Sequence, residues 1–439
     1  MKRIYILIFC SAFVNFATAQ SIDKIINATE VERIEKVLSS DSMQGRRTFT
    51  PAIDKAADFI ASEFKKNGLK FFNSAFSFLQ SSNVIKSKII SVKGEIDGRE
   101  ADARNIMVIS TKENISLNNN SNYELATISA NKDLRNEVSK YTESDKNYLV
   151  IVDTFYTTRF ARFKKSNPVI FEKNSSVVFL LSSSIPSTYN LEIIQEVQRL
   201  PMANVVGILP GKSKKDEYVI FSGHYDHLGI GKPDAKGDSI YNGANDDAAG
   251  TTAVIMLSEY FTQLKNNERT LIFVAFTAEE VGGYGSRYFS KQLDPDKVVA
   301  MFNIEMIGTE SKWGINSAYI TGYERSDFGK ILQANLINSK FHFEPDPYPT
   351  QNLFYRSDNA TLAALGVPAH TISTSKMDNE PNYHKQSDEI ETLDMNNMAE
   401  IIKAIAISSK TIVSGKDTPS RVAVISHYVK YLLTLTIDY

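Results

Sequence analysis

The chain has 439 residues, 42% hydrophobic and 23% charged, with 21 glycines and 13 prolines, which excludes collagen-like, wholly disordered and coiled-coil architectures. This length suggests two or three compact units. With 49 basic against 51 acidic side chains the formal net charge is -2, so no surplus positive charge can neutralise nucleic-acid phosphates and no nucleic-acid partner is expected. Only six histidines and one cysteine are present, so each is worth locating.

Lys2-Arg3, an apolar run from Ile4 to about Phe16 and the small-residue end Ala17-Thr18-Ala19 are the three parts of a secretory signal peptide. Residues 1–19 are therefore expected to leave after Ala19, with the protein exported to the periplasm or secreted. That run is too short to span a bilayer, and nothing later approaches about 18 unbroken apolar residues, so no stable membrane insertion is expected. Cys10 leaves with the signal peptide. Phe9 is bulky where a lipoprotein processing site needs a small residue. The mature chain then lacks cysteine, and any metal site must be built from His, Asp and Glu.

Residues 20–75 read as an N-terminal helical segment: Val31, Ile34, Val37 and Leu38, then Ala56, Ala57, Phe59, Ile60 and Phe64, recur at helical spacing before Gly68. Residues 76–200 hold short β-like runs (Val84–Val92, Asn105–Ser110, Tyr148–Val152, Ser176–Leu181) between polar stretches such as Asn114–Asn122. This is read as an inserted β-rich module without a catalytic cluster or any histidine. From 201 to 415 strands alternate with helices, among them Tyr218–Ser222, the amphipathic Gly250–Leu264, the apolar Thr270–Phe276 and Val298–Ile304. The fold class is thus α/β: a mixed, largely parallel twisted sheet with helices on both faces, plus the inserted module. Residues 416–439 form a C-terminal extension with both β-branched and helical-period features.

Four polar clusters follow apolar strands or open a helix. They are Gly223-His224-Tyr225-Asp226-His227, Gly243-Ala244-Asn245-Asp246-Asp247-Ala248-Ala249-Gly250, Ala278-Glu279-Glu280-Val281-Gly282 and Asn303-Ile304-Glu305-Met306-Ile307-Gly308. In open α/β sheets such strand ends converge on the ligand crevice. Carboxylates packed there repel one another and resist desolvation unless cations sit among them. A shell of histidine and carboxylate without cysteine suits Zn²⁺ or a similar ion. Of the adjacent Glu279 and Glu280, one can bind metal while the other moves protons. Singly, each cluster has a plain reading: a chance His-x-Asp, a solvated Glu pair, a helix cap by Asp246-Asp247. Their joint order at element boundaries is what argues for a site.

That order, completed by Tyr383-His384-Lys385-Gln386-Ser387-Asp388, resembles the M28 family of co-catalytic zinc aminopeptidases. The resemblance covers about residues 201–410. It reaches back to Ser42-Met43-Gln44-Gly45-Arg46-Arg47 and Ala56-Ala57-Asp58-Phe59-Ile60, but does not extend over 76–199. It implies two Zn²⁺ per chain, one held by His224, Asp246 and Glu305, the other by Asp246, Glu280 and His384, with Asp246 bridging. It further implies Glu279 as general base, Asp226 orienting the His224 imidazole, and a cis peptide between Asp246 and Asp247. The family often has Asp where Glu305 stands, a difference of one methylene in the ligand arm. Tyr383 is a candidate for binding substrate, its hydroxyl able to donate to a developing oxyanion. His227 is read as a supporting or structural residue. His342, His370 and His427 are expected to be satisfied or exposed, and Trp313 to pack; the stretch around Asp358 resembles a family segment near the active site but has no assigned role.

The resemblance implies an exopeptidase acting on peptide substrates, foremost an aminopeptidase; among specificities, dipeptidase, broad aminopeptidase and carboxypeptidase activities stay open, in falling order. Two alternatives have discriminating features. A glutaminyl-cyclase-like acyltransferase would use one zinc, whereas the full ligand set favours two. A non-catalytic binding protein on this scaffold usually lacks ligands or base, and here every position holds a competent residue.

Overall fold

The structure is a computed structural model and describes residues 22–73, 75–166 and 168–425. The predicted signal peptide with Cys10, and His427, lie outside the described residues. The chain divides into two compact units: residues 22–81 with 203–425, and residues 82–202. Among the described residues no helix is long and apolar enough to cross a membrane.

In the first unit the sheet is mixed. Lys214–His224 lies parallel between Arg269–Phe276 and Val298–Ile304, and Ala369–Ser373 continues parallel beside Val298–Ile304. Residues 205–209 pair antiparallel with Arg269–Phe276, and Ser317–Ile320 antiparallel with Ala369–Ser373. Every residue of Arg269–Phe276 and of Val298–Ile304 is buried, as strands covered on both faces must be. On one face Phe221 stacks on Phe273 and Phe302, with ring centroids 5.6 and 4.9 Å away. There the helices Ala28–Leu38, Ala249–Leu264 and Met395–Ser408 join the same hydrophobic core. On the opposite face Asn303 reaches Ser357, beside the short helix Asn359–Ala363. The Ala249–Leu264 helix, amphipathic by sequence, is buried on nearly every side, because strands cover one flank and helices the others.

The second unit contains a four-stranded sheet in the order Ile106–Ile109, Val177–Leu181, Tyr148–Val152, Glu124–Ile128. The last three are mutually parallel. It also holds two helices, Leu134–Thr142 and Thr157–Ser166, that the sequence reading passed over. The polar Asn114–Asn118 stretch is a strand, paired with residues 190–194. Two long strands, Leu79–Ile96 and Tyr189–Leu209, carry the chain between the units. Beyond Gly415 the described chain has no helix or strand; Arg421 donates to the Val298 carbonyl and the Val422 amide to that of Gly366.

Candidate active site

The three central parallel strands end together, and their registers place His224 opposite Phe276 and Ser222 opposite Asn303. His224 is the last strand residue, Glu279 and Glu280 lie three and four residues beyond Phe276, and Glu305 follows Ile304. Asp246 comes from the turn before the Ala249–Leu264 helix, and His384 from the loop after the Ala369–Ser373 strand. The structure brings all five expected ligands together. His224 Nε2 is 3.2 Å from Asp246 Oδ1, and His384 Nε2 is 3.3 Å from both Asp246 Oδ2 and Glu280 Oε2. Glu305 joins His224 and Asp246, with one candidate ligand atom from each inside a 4.8 Å span.

Buried carboxylates lock the backbone around these ligands. Asp226 accepts from the Glu279 amide at 3.0 Å, the Glu280 amide at 3.2 Å and the Thr48 hydroxyl at 2.9 Å. The His224 ring is oriented by the Asp226 backbone: Nδ1–H donates to that carbonyl at 3.1 Å, while the carboxylate lies 3.8 Å away. Asp247, across a cis peptide from Asp246, accepts from the amides of His224, Gly250 and Met306 and so ties two strand ends to the helix. Asp388 accepts from the Asn245 and Asp246 amides. The fully buried Arg46 donates to the carbonyls of Leu38, Tyr225, Asn242 and Gly243. Ser357 is held by Asn303 and bonds Glu305.

Two glycines have steric reasons. A Cβ at Gly250 would lie 2.1 Å from the Ile304 carbonyl oxygen, so only glycine lets helix and strand end meet. Gly243 has a φ of +56°, and a Cβ there would strike the His227 ring at 2.5 Å. Ala278, Met306 and His384 also have positive φ, unusual for side-chain-bearing residues and common where a site overrides local preference.

Burial opposes ionisation of Asp246, yet the His224 and His384 imidazoles beside it outweigh this and hold the carboxyl well below its usual range. Burial raises Glu279, Asp247 and Glu305, and the neighbouring carboxylates add to it. The pocket therefore holds more negative charge than its own hydrogen bonds satisfy. Its donor set fits divalent metal. His224 Nε2 and Glu305 Oε2 are buried without a hydrogen-bond partner, and with Nδ1–H on the Asp226 carbonyl it is Nε2 that faces Asp246. Around His384, Tyr383 stacks on the ring at 3.9 Å between centroids.

Some residues were missed or placed differently. Arg46 and Asp388 stand inside quoted motifs, but nothing in a sequence says that a guanidinium is buried under the ligand loops. His227, read as supporting, directly contacts Glu280. His370 is buried and satisfied by Thr321 and Ser326, and His342 is partly exposed near Glu344. Trp313, expected to pack, is 39% exposed.

Residues 204–408 match the model of Peptidase family M28, so the family resemblance read from the motifs is shown over that segment. Among curated proteins, a probable leucine aminopeptidase of Trichophyton verrucosum is 28% identical over 208 residues, 46% of this chain and 54% of that protein. A probable zinc metalloprotease of Pyricularia oryzae is 33% identical over 90 residues, 20% of this chain and 17% of that protein. The chain thus spans about half the length of the curated relatives it matches first. Two solved structures share the fold. An aminopeptidase from Aneurinibacillus sp. strain AM-1 superposes with a TM-score of 0.53 at 17% identity, covering 95% of this chain and 98% of its own. A zinc aminopeptidase from Bacillus subtilis gives 0.54 at 16% identity, covering 90% and 98%.

Proposed function

We propose that the protein is an exported, zinc-dependent exopeptidase, an aminopeptidase that removes N-terminal residues from peptides. The observation that carries this reading is the buried, unpartnered pair His224 Nε2 and Glu305 Oε2 beside Asp246, at adjoining strand ends of the segment matching the peptidase family. His224, Asp246 and Glu305 would hold one zinc, and Asp246, Glu280 and His384 the other. Bound there, the metal pair would supply Lewis-acid polarisation of the peptide carbonyl and make water acidic enough to attack near neutral pH.

Glu279 takes a proton from the attacking water as its oxygen bonds to the carbonyl carbon. It then gives that proton to the departing amine as the C–N bond breaks. Asp226, through the two amides it accepts, keeps the Glu279-Glu280 turn in place so that the carboxyls serve different tasks. Tyr383, held against the His384 ring, offers its hydroxyl to the developing oxyanion. A pocket lined by carboxylates attracts the ammonium of a free N-terminus and repels a C-terminal carboxylate, which favours aminopeptidase over carboxypeptidase action.

The test is a panel of aminoacyl and dipeptide substrates with the purified mature protein, before and after chelation and zinc replacement. Metal-dependent release of N-terminal residues, with two metal ions per chain by elemental analysis and one in His384→Ala, is expected. A count near one with cyclisation of N-terminal glutamine would point instead to an acyltransferase. Full activity after exhaustive chelation would overturn the reading.

A further inference from the structure

His227 is the buried histidine of the site with no assigned task, 1% exposed and beside both Asp246 and Glu280. Resting on the metal-site reading above, we propose that His227 is a positioning residue for Glu280 and not itself a ligand: Nδ1–H holds one carboxylate oxygen so that the other is presented to metal.

Spacing separates the two roles. Ligand atoms bound at about 2.0–2.1 Å to one tetrahedral ion lie roughly 3.3 Å apart. The pairs His224–Asp246, His384–Asp246 and His384–Glu280 stand at 3.2, 3.3 and 3.3 Å, all at this ligand spacing. His227 Nδ1 stands 2.7 Å from Glu280 Oε1, too close for two ligands of one ion but suited to a charge-assisted hydrogen bond. It stands 4.0 Å from Asp246 Oδ2, wider than the ligand pairs, inside the 4.8 Å span that also groups His227 with Asp246 and Glu280. An ionised carboxylate has no proton to give, so Nδ1 carries it. The Glu280 carboxylate is thereby divided, with Oε1 on His227 and Oε2 facing His384.

The ring is set by the fold. The His227 amide donates to the Arg46 carbonyl at 3.3 Å, and Arg46 is itself anchored through its guanidinium. The α-carbon of Gly243 lies against the ring so closely that any side chain there would collide with it.

Metal titration of the whole mature protein by chelator competition tests this with His227→Leu and His227→Asn. The asparagine amide can stand where Nδ1–H stands; leucine has no donor. In His227→Leu one of the two binding steps should weaken about 10- to 100-fold while the other is unchanged, and His227→Asn should restore most of the loss. Unchanged binding in a folded His227→Leu protein overturns the proposal. So does His227→Asn binding as weakly as the leucine variant, the result expected of a lost ligand. If the leucine variant does not fold, His227→Gln replaces it, because its amide reaches the Nε2 position instead. Asparagine strong and glutamine weak is then expected, and equal affinities overturn the assignment. Wild-type protein that binds no metal defeats the site reading itself, an outcome distinct from these.

Discussion

The two units use the same local device and reach different ends. Each has parallel strands whose carboxyl ends lead into acidic residues. In residues 82–202 those acids cap: Asp133, exposed, accepts from the Asn136 amide at 3.0 Å, and Asp153 from the Phe155 amide at 2.7 Å. Among the described residues, no group of three potential metal ligands falls there. In the peptidase-like unit the acids are buried beneath the strand ends, and several spend their hydrogen bonds on the backbone of neighbouring candidate ligands. A strand–helix ledge is therefore a place where a site can be built, and burial with unsatisfied lone pairs turns the ledge into one.

The contrast breaks most readily at Glu279. Its replacement by Gln should lower turnover about 10³-fold or more with metal content unchanged, because only the proton carrier is lost. Near-normal turnover, measured as initial rates on an aminoacyl substrate, would remove Glu279 from the mechanism. Next in size, Arg46→Met strands four carbonyls around the ligand loops and removes the buried cation facing Glu35, Asp388, Asp226 and Asp246. A loss of about 3–5 kcal/mol in denaturant unfolding is expected.

A third effect separates the fold from the chemistry. Burial, helped by the nearby Arg325 charge and opposed by the Thr321 carbonyl, pushes the His370 imidazole down to about 4. Unfolded histidine titrates near 6.5. The folded state therefore binds fewer protons between these values, and stability present above pH 6.5 drains away as pH falls toward 4, by up to about 3 kcal/mol. His370→Gln should flatten that part of the stability–pH curve; an unchanged slope contradicts the assignment. Smallest of all, Asp133→Ala should cost about 1 kcal/mol through a lost helix cap, with no change in metal content or turnover. A loss of bound metal in that variant would undo the distinction between the units.

Much of the candidate site was legible because the expected ligand residues sit at element ends in a recognisable order. His224, Asp246, Glu280, Glu305 and His384 were all named from motifs, and the nearly all-apolar Thr270–Phe276 run marked a strand covered on both faces. The inserted module was less legible. Its Leu134–Thr142 and Thr157–Ser166 helices are short and polar, and each packs only one narrow side. Asn114–Asn118 carries two buried apolar residues among polar ones, too weak an alternation to stand out before its partner strand is known.

By itself the sequence determined the chemistry available: a single cysteine at position 10, six histidines, and acids gathered where strands stop. Only the tertiary structure decided how those groups divide their labour. That division depends on which site atoms take hydrogen-bond partners from distant segments and which are left without one. Residues as far apart in the chain as Arg46, Asp247 and Asp388 consume backbone bonds, His227 takes one oxygen of Glu280, and His224 Nε2 and Glu305 Oε2 remain unpartnered. No spacing rule along the chain encodes that remainder, because each bond in it joins segments that meet only when the sheet has formed.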